Sequence, residues 1–212
     1  MANNISTKER ILTTAFELFT SSSYDKVSID DIIKKVGISK GGLFHHFKSK
    51  YELAAEALFH NVENLWMKPL SELDKIKNPQ YKLKKFIDFS IDTILENPKM
   101  IKFFIDVYEE GLKHQEFFDD KPDNKLNNNH VTWQHFYHEF LEILSKMFSD
   151  CNIPNPHMKA NILLVSLDAV GMESIFFGDS GEIFDPEILK QEFYELFVGN
   201  YEKPLKQDNR GA

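Results

Sequence analysis

Several short constellations in this 212-residue chain hold residue types that could do chemistry. Gly178-Asp179-Ser180-Gly181 places a serine between an aspartate and a glycine, an order familiar around protease nucleophiles. Glu182 then stands where such a motif has another glycine, and no β-barrel pattern exists to bring up a histidine. His138-Glu139-Phe140-Leu141-Glu142 begins like a zinc-protease helix, but Glu142 occupies the place of the second histidine. His135 and His138 share a helix face and need a third ligand, such as Glu139 or Glu142, to hold a metal. Surface or pocket-lining roles suit these histidines better. We therefore expect no catalytic residues, no metal and no cofactor. A helical metal-dependent enzyme built on the His135/His138 region is the alternative.

A different chemistry is available at Ser39-Lys40-Gly41-Gly42. A serine that can cap a helix is followed by one positive charge and two residues without side chains. Free amides and the helix dipole favour phosphate there, and the missing side chains permit close approach to a duplex. Leu43 and Phe47, four apart, face back into a small core, which leaves Phe44 and His45 toward the nucleic acid. Lys48 and Lys50 flank the start of the next helix, where an ammonium near a phosphate adds salt-dependent affinity.

The elements that would position these residues are helices. Apolar residues recur at three- and four-residue spacing almost throughout, and alternating runs are hard to find. Ser6-Thr7-Lys8-Glu9 is a capping box that opens a helix with the stripe Leu12, Ala15, Phe16 and Phe19. Ser28-Ile29-Asp30-Asp31 resembles a second box, Ser39 caps a third helix, and Ser49-Lys50-Tyr51-Glu52 opens a fourth. Gly37 supplies the left-handed turn between the second and third, so residues 28–47 read as a helix-turn-helix. Beyond residue 50 helices are expected near 50–68 (ending before Pro69), 79–96, 98–113, 130–150, 156–177 and 186–198. Four of the starts carry Asn or Asp before proline: Asn78-Pro79, Asn97-Pro98, Asn155-Pro156 and Asp185-Pro186. Residues 119–129 and 178–181 read as loops.

From Ala15-Phe16-Glu17-Leu18-Phe19, through Val27-Ser28-Ile29-Asp30-Asp31-Ile32, to the run from Gly37 to Lys50, the chain resembles the tetracycline-repressor (TetR) family of transcriptional regulators. The resemblance covers about residues 8–58. It implies an all-α protein with an N-terminal three-helix DNA-binding domain, residues 1–50, and a larger helical ligand-binding and dimerisation domain, residues 51–202. Residues 203–212 form a flexible tail. Carried over residue by residue, it sets Ser28, Phe44, His45 and Lys50 near phosphates, and Lys40, Gly41 and Gly42 nearest the base edges. Family members often have a small side chain such as Thr at the place of Gly42, and commonly Tyr at the places of Phe44 and His46. Phe44 cannot donate a hydrogen bond to phosphate, and base specificity is not readable from this helix. The implied function is a cytoplasmic repressor that binds a palindromic double-stranded operator as a homodimer and is released by a small-molecule effector. A constitutive regulator without an effector is a further alternative.

Charge agrees with that division. The chain carries 25 Lys+Arg against 33 Asp+Glu, a net −8. Residues 1–50 hold eight basic and five acidic side chains, +3, and the remainder is −11. The lone Cys151 excludes an internal disulfide and fits a reducing compartment. The first residues lack a secretory apolar core, and the most apolar run, Ala160 to Leu167, stops at Asp168, so no membrane span is expected.

The larger domain carries many of the chain's 19 phenylalanines. Phe86, Phe89, Phe103, Phe104, Tyr108 and Trp133 crowd its middle helices, with Phe136, Tyr137 and Phe140. Together with Met172 and Phe176 they are candidates to line a cavity for a small apolar or aromatic ligand. The last two helices are apolar on more than one face and must bury both. A two-fold four-helix interface, as the family resemblance implies, would use Leu163, Leu167, Val170, Gly171, Ser174 and Ile175 with Phe193, Leu196 and Phe197.

Overall fold

In a computed structural model the described residues are 6–114, 133–177 and 185–199. Among them every regular element is an α-helix: α1 (Thr7–Ser22), α2 (Ile29–Val36), α3 (Lys40–His46), α4 (Lys50–Leu73), α5 (Pro79–Glu96), α6 (Pro98–His114), α7 (Trp133–Asp150), α8 (Pro156–Phe177) and α9 (Pro186–Val198). The expected loops at 119–129 and 178–181 and the tail at 203–212 fall outside the described residues.

Local chemistry accounts for most helix starts. Ser6 and Glu9 satisfy each other's backbone amides, as do Ser28 and Asp31. The Ser39 hydroxyl accepts from Gly42 N–H at 3.0 Å, and the Ser49 hydroxyl from Glu52 N–H at 3.0 Å. Asn78 and Asp185 cap α5 and α9 as expected. The other two Asn-Pro pairs behave differently. Asn97 turns its amide back to the Thr93 carbonyl at 2.8 Å, because it also ends α5. Asn155 sits at φ +56°, a left-handed conformation that asparagine tolerates better than most residues.

The fourth helix is longer than expected, since α4 continues through Pro69 to Leu73. Proline removes one amide from the ladder and crowds the carbonyl four residues back. Packing on both sides of it offsets that loss: Leu70 is buried, and Trp66 is set edge-on against Phe89 and Phe140 at 5.5 and 5.8 Å.

Two apolar cores result. One is built from α5, α7, α8 and α9, with Leu83, Phe86, Ile87, Leu144, Phe148 and Leu163 fully buried. The other joins α1, α2, α3 and the first half of α4 around Phe19, Ile32, Leu43, Phe47 and Leu53. Trp66 packs against both. The helix α8 is long and apolar enough to cross a membrane, with mean hydropathy 1.5 over its best window, which the sequence reading had not expected. Here its apolar residues are divided between the first core and an exposed stripe.

Candidate nucleic-acid interface

The head is assembled so that one face of α3 is left open. Leu43 and Phe47 have no exposed surface and anchor α3 on α1 and α4. Gly37 at φ +78° turns the chain between α2 and α3. Arg10 on α1 donates through Nη2 to the Val36 carbonyl at 2.8 Å, closing the C-terminus of α2 beside that turn. With the angle between α2 and α3 held in this way, Lys40, Gly41, Phe44 and His45 are exposed, as are Ser39 and Lys48 on either side.

The charged groups around this face are arranged unevenly. Lys40 Nζ lies 3.6 Å from Asp30 of α2, both well exposed. The Ser28 hydroxyl is 2.5 Å from the Asp31 carboxylate, whose pKa these Ser28 hydrogen bonds lower. Lys48 donates its backbone amide to Glu52 at 2.5 Å, which leaves its side chain exposed. Lys50 departs from the expected arrangement. Its ammonium sits 4.2 Å above the Tyr24 ring, and loss of water lowers its pKa against the opposing pull of Asp25 and Glu110. It is half-buried between the α1–α2 turn and α6 instead of standing with Lys48, because a ring and two carboxylates attract it there. Burial pushes Tyr24 up to about 12, and its backbone N–H donates to Asp106 of α6 at 3.2 Å.

The aromatic residues expected to line one cavity do not share one wall. Phe103 stacks on Phe19 at 5.1 Å and meets Phe16 edge-on at 5.8 Å. Both Phe103 and Phe104 belong to the core of the head, because α6 runs along α1 and α4. Phe86 and Phe140 are buried in the larger core with rings 5.8 Å apart. Tyr108, Met172 and Phe176 are exposed, Phe176 at 71%. Phe89 and Tyr137 remain half-buried, beside Trp66, which the sequence reading passed over as one isolated aromatic on a long helix. Burial raises the Tyr137 pKa, with the nearby Asp168 charge adding to it. The backbone of Trp133, His135 and Phe136 forms the first turn of α7, and their side chains lie outside the described set. His138 is exposed and 4.0 Å from Glu142; no cluster of three metal-ligating side chains occurs among the described residues.

The expected partner face is also reversed. Leu163, Leu167, Val170, Phe193 and Phe197 are buried within the protomer. Gly171 is pressed against α6 and α5, where a Cβ would come 3.3 Å from Ile101 and 3.6 Å from Ile94. Ser174 donates to the Gly171 carbonyl at 2.7 Å, and Ile175 is half-buried. Of the nine expected residues only Leu196 is exposed. The open apolar stripe consists of Met158, Ile162, Val165, Met172 and Phe176 on α8, with Ile188 and Leu196 on α9. The α8 members recur at three- and four-residue steps, with Ala169 between, and so share one side of the helix.

Comparison with known proteins adds to this geometry. Residues 11–57 match the family model described as bacterial regulatory proteins, tetR family. The chain is 23% identical over 194 residues to the biofilm operon icaADBC HTH-type negative transcriptional regulator IcaR of Staphylococcus aureus, spanning 89% of this chain and 96% of that one. It is 29% identical over 133 residues to the HTH-type transcriptional regulator QacR of the same species, spanning 60% of this chain and 66% of QacR. Among solved structures, AibR in complex with isovaleryl coenzyme A and operator DNA superposes with a TM-score of 0.61 and 16% identity, covering 92% of this chain and all of that one.

Proposed function

The chain belongs to the tetR family of bacterial regulatory proteins, and from there we propose that it is a repressor that binds a palindromic operator as a homodimer. The carrying observation is the open face of α3, where Lys40, Gly41, Phe44 and His45 are exposed on a helix whose other side is buried. In this reading Ser28, Ser39, His45 and Lys48 lie along phosphates, and Lys40, Gly41 and Gly42 approach the base edges. Lys50 serves the junction of head and body and is left out of the phosphate set. The dimer forms through the exposed stripe of α8 and α9, so its two-fold axis is matched by the operator's palindrome. The protein is not an enzyme and acts in the cytoplasm.

A small apolar or aromatic effector would sit near Trp66, Phe89 and Tyr137, between the larger core and α4. Support comes from the relatives: IcaR is a negative regulator, and AibR was solved with an acyl-coenzyme A and operator DNA. Release works by differential affinity, since an effector that binds one separation of the two heads better than the other shifts the equilibrium by that difference. The test is the salt dependence of binding to duplex DNA. Lys48→Ala weakens binding to all sequences alike and reduces the slope of log K against log salt by about 1. Lys50→Ala changes that slope less. An unchanged slope for Lys48→Ala overturns the orientation of the head.

A further inference from the structure

The side chains on α3 limit what the head can recognise in a major groove. Guanine is most often read by an arginine or lysine that bonds O6 and N7 together, and adenine by asparagine or glutamine across N6 and N7. The sequence has only two arginines, Arg10 and Arg210. Arg10 is committed to the Val36 carbonyl, and Arg210 lies far along the chain in its last residues. No asparagine or glutamine occurs between Ser39 and Lys50. Lys40, the one lysine on α3, is within 3.6 Å of Asp30, which draws its ammonium toward α2.

An apolar surface remains. Phe44 is 43% exposed on a seven-residue helix, and no ring contact or other partner is found for it. Gly41, three residues earlier, lies on the same face. A Cβ at Gly41 would meet nothing within 4 Å, and its backbone is not in the left-handed region, so the fold itself does not require glycine there. Glycine weakens a helix relative to alanine. A helix of seven residues thus tolerates both an exposed phenylalanine ring and an unnecessary glycine, side by side, on the face turned away from its core.

We propose that this pair reads thymine, with the Phe44 ring against the C5-methyl group and the bare backbone at Gly41 admitting the base-pair edge. The inference rests on the DNA-binding reading above and specifies its operator: half-sites defined by A·T pairs, read through methyl contacts and not through hydrogen bonds to guanine. It also gives Phe44 a role different from the phosphate contact that the family resemblance implies. Apolar contact with the thymine methyl is a recognised mode of base readout for phenylalanine. Charge complementarity supports the duplex as occupant, since the head carries +3 and the rest of the chain −11.

The experiment selects duplexes from a random double-stranded pool with the full-length protein at moderate salt. One selected duplex is then remade with deoxyuridine for thymidine in its half-sites, which removes only the methyl groups. The expected pool has A·T-defined half-sites, and the wild-type protein binds the deoxyuridine duplex about fourfold more weakly for each methyl read. Phe44→Ala binds the two duplexes alike. Half-sites defined by G·C pairs, or equal wild-type affinity for both duplexes, overturn the proposal, and so does a thymidine preference undiminished in Phe44→Ala. The deoxyuridine comparison alters only the DNA, so it stands even if a variant folds poorly. A protein that selects no duplex fails at the earlier step and overturns DNA binding itself, this proposal with it.

Discussion

Phe103 offers a direct test of how head and body are joined. Its side chain is 1% exposed, stacked on Phe19 and edge-on to Phe16, yet its helix α6 begins beside α8 in the other core. Replacing a buried phenylalanine with alanine costs about 3–5 kcal/mol, through lost transfer energy and the cavity left behind. At about 1.4 kcal/mol per factor of ten, opening of the affected core becomes about a hundred- to several-thousand-fold more frequent. The expected effect of Phe103→Ala therefore appears more than 80 residues away in sequence. Amide hydrogen exchange followed by mass spectrometry measures it peptide by peptide. Amides of α1, α2 and α3 lose protection by that factor, and those of α5 and α8 facing the larger core change far less. Phe103→Leu, which keeps most of the apolar volume, recovers part of the loss. Equal loss over both cores, or loss confined to α6, refutes the assignment of Phe103 to the head. A Phe103 that only lined an effector cavity would leave the exchange of α1 to α3 unaltered.

Two further predictions concern assembly and acid. Val165 lies in the exposed stripe of α8, so Val165→Asp places a charge on each side of the two-fold axis. Light scattering at micromolar concentration is expected to show a dimer for the wild type and a helical monomer for the variant; a dimeric Val165→Asp rejects this face. In the head, hydrogen bonds from the Ser28 hydroxyl and backbone amide lower the Asp31 pKa below its ordinary 3.8. A carboxylate with a depressed folded pKa gives stability that is present above the unfolded value and lost as pH falls through the folded one. The head's melting midpoint, followed by circular dichroism, should thus fall below pH 3.8 and do so less steeply in Asp31→Asn; identical acid slopes reject the link.

What could be read from residue types was whatever is decided within a few positions of chain. Ser6, Ser28, Ser39 and Ser49 each lie one residue before a helix, because a hydroxyl at that place satisfies an amide two or three residues on. Gly37 was legible for the same reason. Pro69 misled because its local penalty is offset by the distant rings of Phe89 and Phe140 around Trp66. The two faces of α8 were not separable by pattern, since a helix apolar on all sides has no phase to read. Which side turns inward is decided where Gly171 lets α6 come close, a contact between residues 70 positions apart. Lys50 illustrates the same limit at the site, because its ammonium is drawn toward Tyr24, Asp25 and Glu110 by a helix whose position no local pattern reports.

The passage of α6 through the core of the head bears on how such regulators can be recombined. A chimaera spliced at residue 50 would seem to transplant a complete reading head onto a new effector domain. In this protein the head's interior is finished by Phe103 and Val107, contributed from beyond the splice. A grafted head would close around whatever residues the recipient supplies there, and its Tyr24 amide would look for an acceptor at the place of Asp106. Exchange of operator specificity should therefore succeed when residues 1–62 travel together with 103–107, and produce a loosely packed head when they do not.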